Sequence, residues 1–297
     1  MQIAQKKITK FQKEILDWYA QNQRKLPWRE MPVGTSLQQR AYRILISEVM
    51  SQQTQILRVI PKYHAWLAAF PTIEDLATAK VSDVLQHWSG LGYNRRALNL
   101  KKTAEMIVKD YGGKFPQEEK TLRRLPGIGE YTARAILCFA FDEQVAVVDT
   151  NVRKVILTQF SQRHREERSD VAISHEIASS LRGLAMTEKE IEEVAERLLP
   201  IGKAYEWNQA LMDYAAAMLK KEKIPIPKQS KFIGSHRYYR GQVLKLLLQK
   251  KHVLIKEVGP LIKKDYTVSE GQWLHRLLEE LQDEGFIVIE KDSIHLS

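Results

Sequence analysis

Apolar residues recur at helical spacing along almost the whole chain, and the alternation that a half-buried strand needs appears only near the C-terminus. That pattern restricts the chain to a mainly α fold built from many short helices joined by tight turns. Ile8, Phe11, Ile15, Leu16, Trp18 and Tyr19 form one face of a first helix, which ends in the polar run 21–25. The spacing predicts a short buried helix over 42–50. Another follows, capped by Thr54, with Pro61 inside it as a bend or a weak point. Further helices are expected over 72–79, 81–88, 95–111, 117–125, 131–141, 151–160 and 188–221.

Two stretches interrupt this pattern. Residues 161–187 are polar and charged, which predicts a surface insertion, mobile or loosely helical, with no chemistry of its own. Residues 220–228 are basic and spaced by Pro225 and Pro227, marking the boundary between a domain over 1–222 and, after a linker over 223–235, a small domain over 236–297. In the small domain the expected helices cover 239–250, 255–263 and 269–284. The last carries Trp273, Leu274, Leu277, Leu278 and Leu281 inward and is stopped by Gly285. A hairpin over 286–296 completes an order that resembles a winged-helix α+β module.

The chain has 46 Lys and Arg against 36 Asp and Glu, a net charge of +10, so a polyanion such as nucleic acid is the natural partner. A solvated basic surface without a partner is the plain alternative. The excess lies mostly in the first domain, since residues 230–297 hold 11 basic against 9 acidic side chains. One cysteine, Cys138, excludes a disulfide framework and a cluster held by four of the chain's own thiolates. With no long apolar run and no signal-peptide core, a cytoplasmic, nucleoid-associated monomer without a membrane partner is expected.

Three short motifs carry chemistry. Leu125-Pro126-Gly127-Ile128-Gly129 lies between two predicted helices, and its glycines let the backbone turn and point N–H groups at an anion such as a DNA phosphate. It reads as the hairpin of a helix-hairpin-helix motif, or as a plain helix–helix turn. Glu48 sits among Ile44, Leu45, Ile46, Val49 and Met50, where desolvation would raise its pKa as a general acid requires, unless it lies on a solvated stripe. The amides and hydroxyl of Gln52, Gln53 and Thr54 can reach base edges or phosphates, or can serve as a cap and exposed polar groups. In Val148-Asp149-Thr150-Asn151 an apolar run delivers a carboxylate to a helix start, as a cap kept ionised by backbone donors. A neutral and an ionised carboxyl are what glycosidic-bond cleavage needs. If the sugar belongs to duplex DNA, the nucleotide must first be flipped out.

Together with Leu26-Pro27-Trp28-Arg29 and Gly90-Leu91-Gly92-Tyr93, these motifs resemble the MutY adenine DNA glycosylases of the helix-hairpin-helix superfamily, closely over about 8–160 and loosely over 195–220. The resemblance implies a glycosylase fold acting on double-stranded DNA with a mispaired or damaged base. It implies that Glu48 protonates adenine N7, that Asp149 stabilises or covalently traps the sugar, and that Asn151 and Arg29 support these carboxylates. Tyr131 stands where bifunctional relatives carry a Schiff-base lysine. No lysine lies between Lys120 and Lys154, so the lyase route is expected to be absent. Tyr93 resembles an aromatic wedge beside the mispaired purine and Gln53 an amide that probes the gap. A core tyrosine and an exposed glutamine are the plain alternatives.

The departures are as informative. The family's four cluster cysteines are missing after Asp213, so no iron–sulfur cofactor is expected. Thr150 stands in place of a Gly, Ser51 in place of a Leu, and the family's 8-oxoguanine-recognition domain is replaced by the winged-helix-like tail. The expected activity is removal of adenine opposite guanine or 8-oxoguanine. A thymine or uracil mismatch glycosylase and a non-catalytic DNA-binding relative are the rivals.

Overall fold

The computed structural model describes residues 4–160, 186–219 and 231–297. The fold is mainly α with one small C-terminal sheet. Packing divides the chain into two compact units that cut across the linear order. One gathers Met1–Leu45, Pro116–Arg124 and Ile128–Pro225, the other Ile46–Phe115, Leu125–Gly127 and Ile226–Ser297. This division differs from a boundary drawn at the basic linker: the C-terminal residues share a unit with the helices of 46–115. The linker residues 220–230 and positions 161–185 of the expected insertion lie outside the described residues.

In the first unit the helix Gln5–Asn22 turns Ile8, Phe11, Ile15 and Tyr19 inward. Phe11 meets Phe160 and Trp207 edge to face, at 5.2 and 5.8 Å between ring centroids. The helix Glu130–Phe141 is buried continuously from Ala135 to Ala140, which makes it a central helix of this unit. The helix Glu188–Leu198 starts at Thr187, whose hydroxyl and Glu190 form a reciprocal capping box. Thr187, placed at the end of the insertion by the sequence pattern, is therefore the start of ordered helix.

The second unit stacks the helices Ile56–Ala69, Ile73–Thr78, Val81–Trp88 and Arg95–Tyr111. Trp66 packs edge to face on Phe70 and Trp88, at 5.0 and 5.6 Å. Pro61 sits inside its helix without ending it. Its missing N–H leaves the carbonyl four residues back, on Leu57, without that bond, and Leu57 is exposed enough for water to replace it.

The C-terminal part carries the helices His236–Gln249, Ile255–Ile262 and Gly271–Asp283 and three strands, β1 (His252–Leu254), β2 (Ile287–Glu290) and β3 (Ser293–Leu296). β3 is central and antiparallel to both neighbours, pairing His252 with His295 and Ile287 with Leu296. Leu274, Leu277, Leu278 and Leu281 are buried, and Gly285 takes the left-handed conformation at φ +84° that ends their helix. This is the winged-helix-like order expected from the sequence, with β1 as an addition. That strand is three residues long, too short for a period-2 pattern to show.

Candidate functional site

Asp149 stands immediately before the helix Thr150–Phe160. Its Oδ1 accepts from the backbone N–H of Val152 at 2.7 Å, the geometry of an N-cap, and its Oδ2 accepts from Asn151 Nδ2 at 2.7 Å. The capping role and the support from Asn151 are therefore both present. The capping hydrogen bonds do not act alone on its titration. Burial raises the Asp149 pKa above the ordinary aspartate value, and the hydrogen bonds from Val152 and Asn151 and the nearby charge of Arg24 oppose that rise without cancelling it.

The extended run before Asp149 is pinned by a residue the sequence reading did not single out. Asn208, fully buried on the helix Ala204–Met218, accepts from the N–H of Val147 at 2.8 Å. It donates to the carbonyls of Val145 and Ala204 at 3.0 and 2.9 Å and to Cys138 Sγ at 3.3 Å. An amide among apolar helix neighbours was the available signal. Cys138 beside it is buried, and burial pushes its thiol up to about 12, which favours a neutral packing group.

Arg29 goes elsewhere than expected. Its guanidinium makes a two-pronged contact with Asp213, Nη1 to Oδ2 at 2.8 Å and Nη2 to Oδ1 at 2.9 Å, in place of any contact with Asp149. Asp213 also accepts from Arg24, through the backbone N–H at 2.9 Å and Nε at 2.6 Å. Burial pushes the Asp213 carboxyl up, but the two arginines outweigh it and hold the group below the usual carboxylate range. Tyr131 is half-buried in the first turn of Glu130–Phe141.

Glu48 lies in the second unit, on the helix Leu37–Ser51. It is half-buried, with Ser47, Val49 and Met50 buried around it, so it sits on no fully solvated stripe. Beyond the helix end, Gln52, Gln53 and Thr54 form a loop in which Gln53 adopts φ +53°. Thr54 does not cap the next helix. That helix begins at Ile56 after Gln55, and Thr54 Oγ1 instead donates to the Gln52 carbonyl at 3.1 Å.

The organiser of this region is Arg96, another residue the sequence reading passed over. Its Nη1 donates to the carbonyls of Val49, Met50 and Gln52 at 2.7, 3.2 and 2.7 Å. Its Nη2 donates to the carbonyls of Leu91 and Gly92 at 3.2 and 3.1 Å and to Thr54 Oγ1 at 3.3 Å. It thereby satisfies the open C-terminal carbonyls of one helix and fixes a second loop, Gly90 to Tyr93. In that loop Tyr93 is exposed and left-handed at φ +48°. Two non-glycine residues held in this conformation, both on loops tied to one guanidinium, mark a pre-set surface.

In the hairpin Gly127 adopts φ +78°, and a Cβ there would fall 2.9 Å from Asn99 Cβ, so only glycine fits. Thr103 Oγ1 holds the Pro126 carbonyl at 2.8 Å. Leu125 and Ile128 are buried, and Gly129 begins the helix Glu130–Phe141 without a side-chain cap. Arg123 pairs with Glu119 and Glu130. Among the described residues no group of three or more His, Cys, Asp or Glu is placed to hold a metal ion, and no helix is long and apolar enough to cross a membrane.

The family described as "HhH-GPD superfamily base excision DNA repair protein" matches residues 46–201. The chain is 36% identical over 245 residues to the adenine DNA glycosylase of Mus musculus, covering 80% of this chain and 44% of that protein. It is 46% identical over 143 residues to the adenine DNA glycosylase of Mycolicibacterium smegmatis, covering 48% of this chain and 47% of that one. The chain thus spans about half the length of these curated relatives. Among solved structures, a thermostable thymine-DNA glycosylase superposes with a TM-score of 0.59 at 30% identity, over 73% of this chain and 90% of that one.

Proposed function

Since the chain belongs to the HhH-GPD superfamily of base excision DNA repair proteins, we propose that it is a monofunctional DNA glycosylase. In this reading it hydrolyses the N-glycosidic bond of adenine mispaired with guanine or 8-oxoguanine, after the nucleotide is flipped from the duplex. The observation that carries it is Asp149, a half-buried carboxyl held by the Val152 N–H and Asn151, in a chain aligned to adenine DNA glycosylases.

Glu48 protonates the departing adenine at N7, which turns the base into a neutral leaving group. The Asp149 carboxylate faces the positive charge that develops on the sugar. The same burial that raises its pKa reduces solvent screening of that attraction. Water then adds to the sugar carbon and loses a proton, leaving an abasic site. Tyr131 supplies no amine, so no Schiff base forms and the strand is not cut by that route. A single cysteine with a neutral thiol does not suit a four-thiolate cluster, and the reading includes no cofactor. The partner is double-stranded DNA, and the protein acts as a monomer in the cytoplasm.

Single-turnover base release from duplexes carrying A:8-oxoG, A:G, T:G and U:G pairs tests this. Adenine release is expected, falling by about 100-fold or more in Glu48→Gln with DNA affinity retained. Full activity in that variant rejects the acid assignment. Asp149→Asn is expected to cost much of the rate; a near-wild-type rate leaves that residue with capping alone. The likeness to a thymine-DNA glycosylase supports one second reading, a thymine or uracil mismatch enzyme. Release from T:G or U:G in preference to A:G would establish it.

A further inference from the structure

Within the first unit a pocket of about 410 Å³ lies between the loop over 31–35, the first turn of the helix Leu37–Ser51 and the start of the helix Ala204–Met218. Arg29, Gly34, Thr35, Arg40 and Tyr205 line it, and no carboxylate does. The Pro32 carbonyl is already taken by Thr35, through its N–H at 3.1 Å and its Oγ1 at 2.6 Å. Gly34 adopts φ +82°, and a Cβ there would meet nothing within 4 Å, so open space lies beside the backbone of the turn.

Arg29 brings an unmet need to this pocket. Its side chain is 9% exposed, both Nη atoms are engaged by Asp213, and its Nε is buried without a hydrogen-bond partner. A desolvated N–H on a cation is costly to leave unpaired. Arg40 spends Nη1 and Nη2 on Asp142 at 3.1 Å each, and its Nε meets no acceptor among the described residues. Tyr205 is half-buried, with the Arg40 guanidinium 5.5 Å from its ring centroid, and its hydroxyl makes no hydrogen bond among the described residues. Burial raises the pKa of that hydroxyl against the nearby charges of Arg29 and Arg40, so it stays a donor.

The charges leave an excess of the same sign as the donors. Arg24 and Arg29 share Asp213, and Arg40 is paired with Asp142, whose side chain is 60% exposed. Three guanidiniums thus stand against two carboxylates. Spare donors on three separate chain segments suit a tetrahedral anion with several outer oxygens better than a planar carboxylate with two. The volume is in the range of ligand sites and leaves room for a substituent on the anion.

We propose that this pocket is a phosphate site, in which Arg29 Nε, Arg40 Nε and Tyr205 Oη donate to one phosphate group. That group is carried either by a DNA backbone or by a small phosphate ester. The site stands apart from the glycosylase reading, because neither Glu48 nor Asp149 contributes to it.

The test uses the full-length protein at constant ionic strength, with sodium phosphate and sodium acetate as probes and thermal melting as readout. Phosphate is expected to raise the melting temperature saturably, and acetate is not. Arg40→Gln is expected to weaken phosphate binding about tenfold or more, and Tyr205→Phe about threefold or more. An undamaged duplex, titrated across salt concentrations, separates the two sources. With a backbone phosphate as occupant both variants lose duplex affinity, and Arg40→Gln alone lowers the salt slope by about one. With a small ester as occupant the duplex affinity stays at the wild-type value in both. A phosphate response no larger than that to acetate, together with unchanged duplex binding, overturns the proposal. So does a phosphate response retained in either variant, which places the anion elsewhere. A duplex loss confined to Arg40→Gln, without a phosphate response, marks a single charge acting from the surface and also overturns it. Tyr205→Phe keeps the edge-to-face contact with Phe139 at 5.6 Å, so it carries the test if Arg40→Gln fails to fold, and melting without ligand checks both.

Discussion

Asp149 combines two opposed influences, desolvation in a half-buried position that raises its pKa and donors from Val152 and Asn151 that favour its anion. Only the anion can stabilise a cationic sugar, so base release is expected to rise with pH as Asp149 loses its proton. The acidic limb of that profile lies above the ordinary aspartate range. Asn151→Ala removes one donor and is expected to move the limb to still higher pH, with the plateau reached later. A limb that stays in place or moves down, measured by single-turnover rates across acidic pH, would remove Asn151 from this role. Both residues were legible as a pair because they are two apart at a helix start. The sequence could not show that burial would outweigh the cap, since desolvation depends on chain segments distant in order.

Among the elements, Arg96 links a helix end to two loops through carbonyl oxygens rather than carboxylates. Lysine has one nitrogen and cannot reach acceptors on both loops at once. Arg96→Lys is expected to destabilise the protein by about 2 kcal/mol or more, because buried carbonyls lose their donors. Urea unfolding measures this, and stability equal to wild type would refute the hub. Such a residue is hard to find in sequence, where an arginine in the first turn of a helix reads as a solvated charge. The helices were more legible. Those over Val81–Trp88 and Arg95–Tyr111 match their apolar spacing to the residue. The helix expected over 42–50 begins earlier, at Leu37, because Ser36 and Gln39 exchange backbone-to-side-chain hydrogen bonds at 3.2 Å. That Ser-x-x-Gln box is a sequence signal that was available and passed over. The one expected over 117–125 shrinks to Glu119–Leu122, confined by Pro116 and the Pro126-Gly127 turn.

At the scale of the whole molecule, Asp213 joins the N-terminal segment to the helix Ala204–Met218 through Arg24 and Arg29. Asp213 and the Arg29 side chain are both largely buried. Removing one partner leaves an uncompensated charge inside, so Asp213→Asn is expected to cost about 3–5 kcal/mol. The folded pKa of Asp213 is depressed, so its contribution is present above the unfolded aspartate value of about 3.9 and is lost as pH falls through the folded value below it. Thermal melts of wild type and variant should therefore differ near neutral pH and converge in acid. A constant gap down to the lowest pH would show that ionisation of Asp213 is not the source.

The sequence by itself determined the helices, the hairpin glycines, the carboxylates at 48 and 149 and the α+β tail, because periodicity, capping and turn chemistry act over a few residues. Tertiary structure decided that Arg29 takes Asp213 for its partner, that Asn208 pins the run into Asp149, and that the tail shares a cleft with Gln53 and Tyr93. Each of those depends on which faces meet across sixty residues or more of chain. Apolar spacing says that a face is buried, and only packing selects what it is buried against.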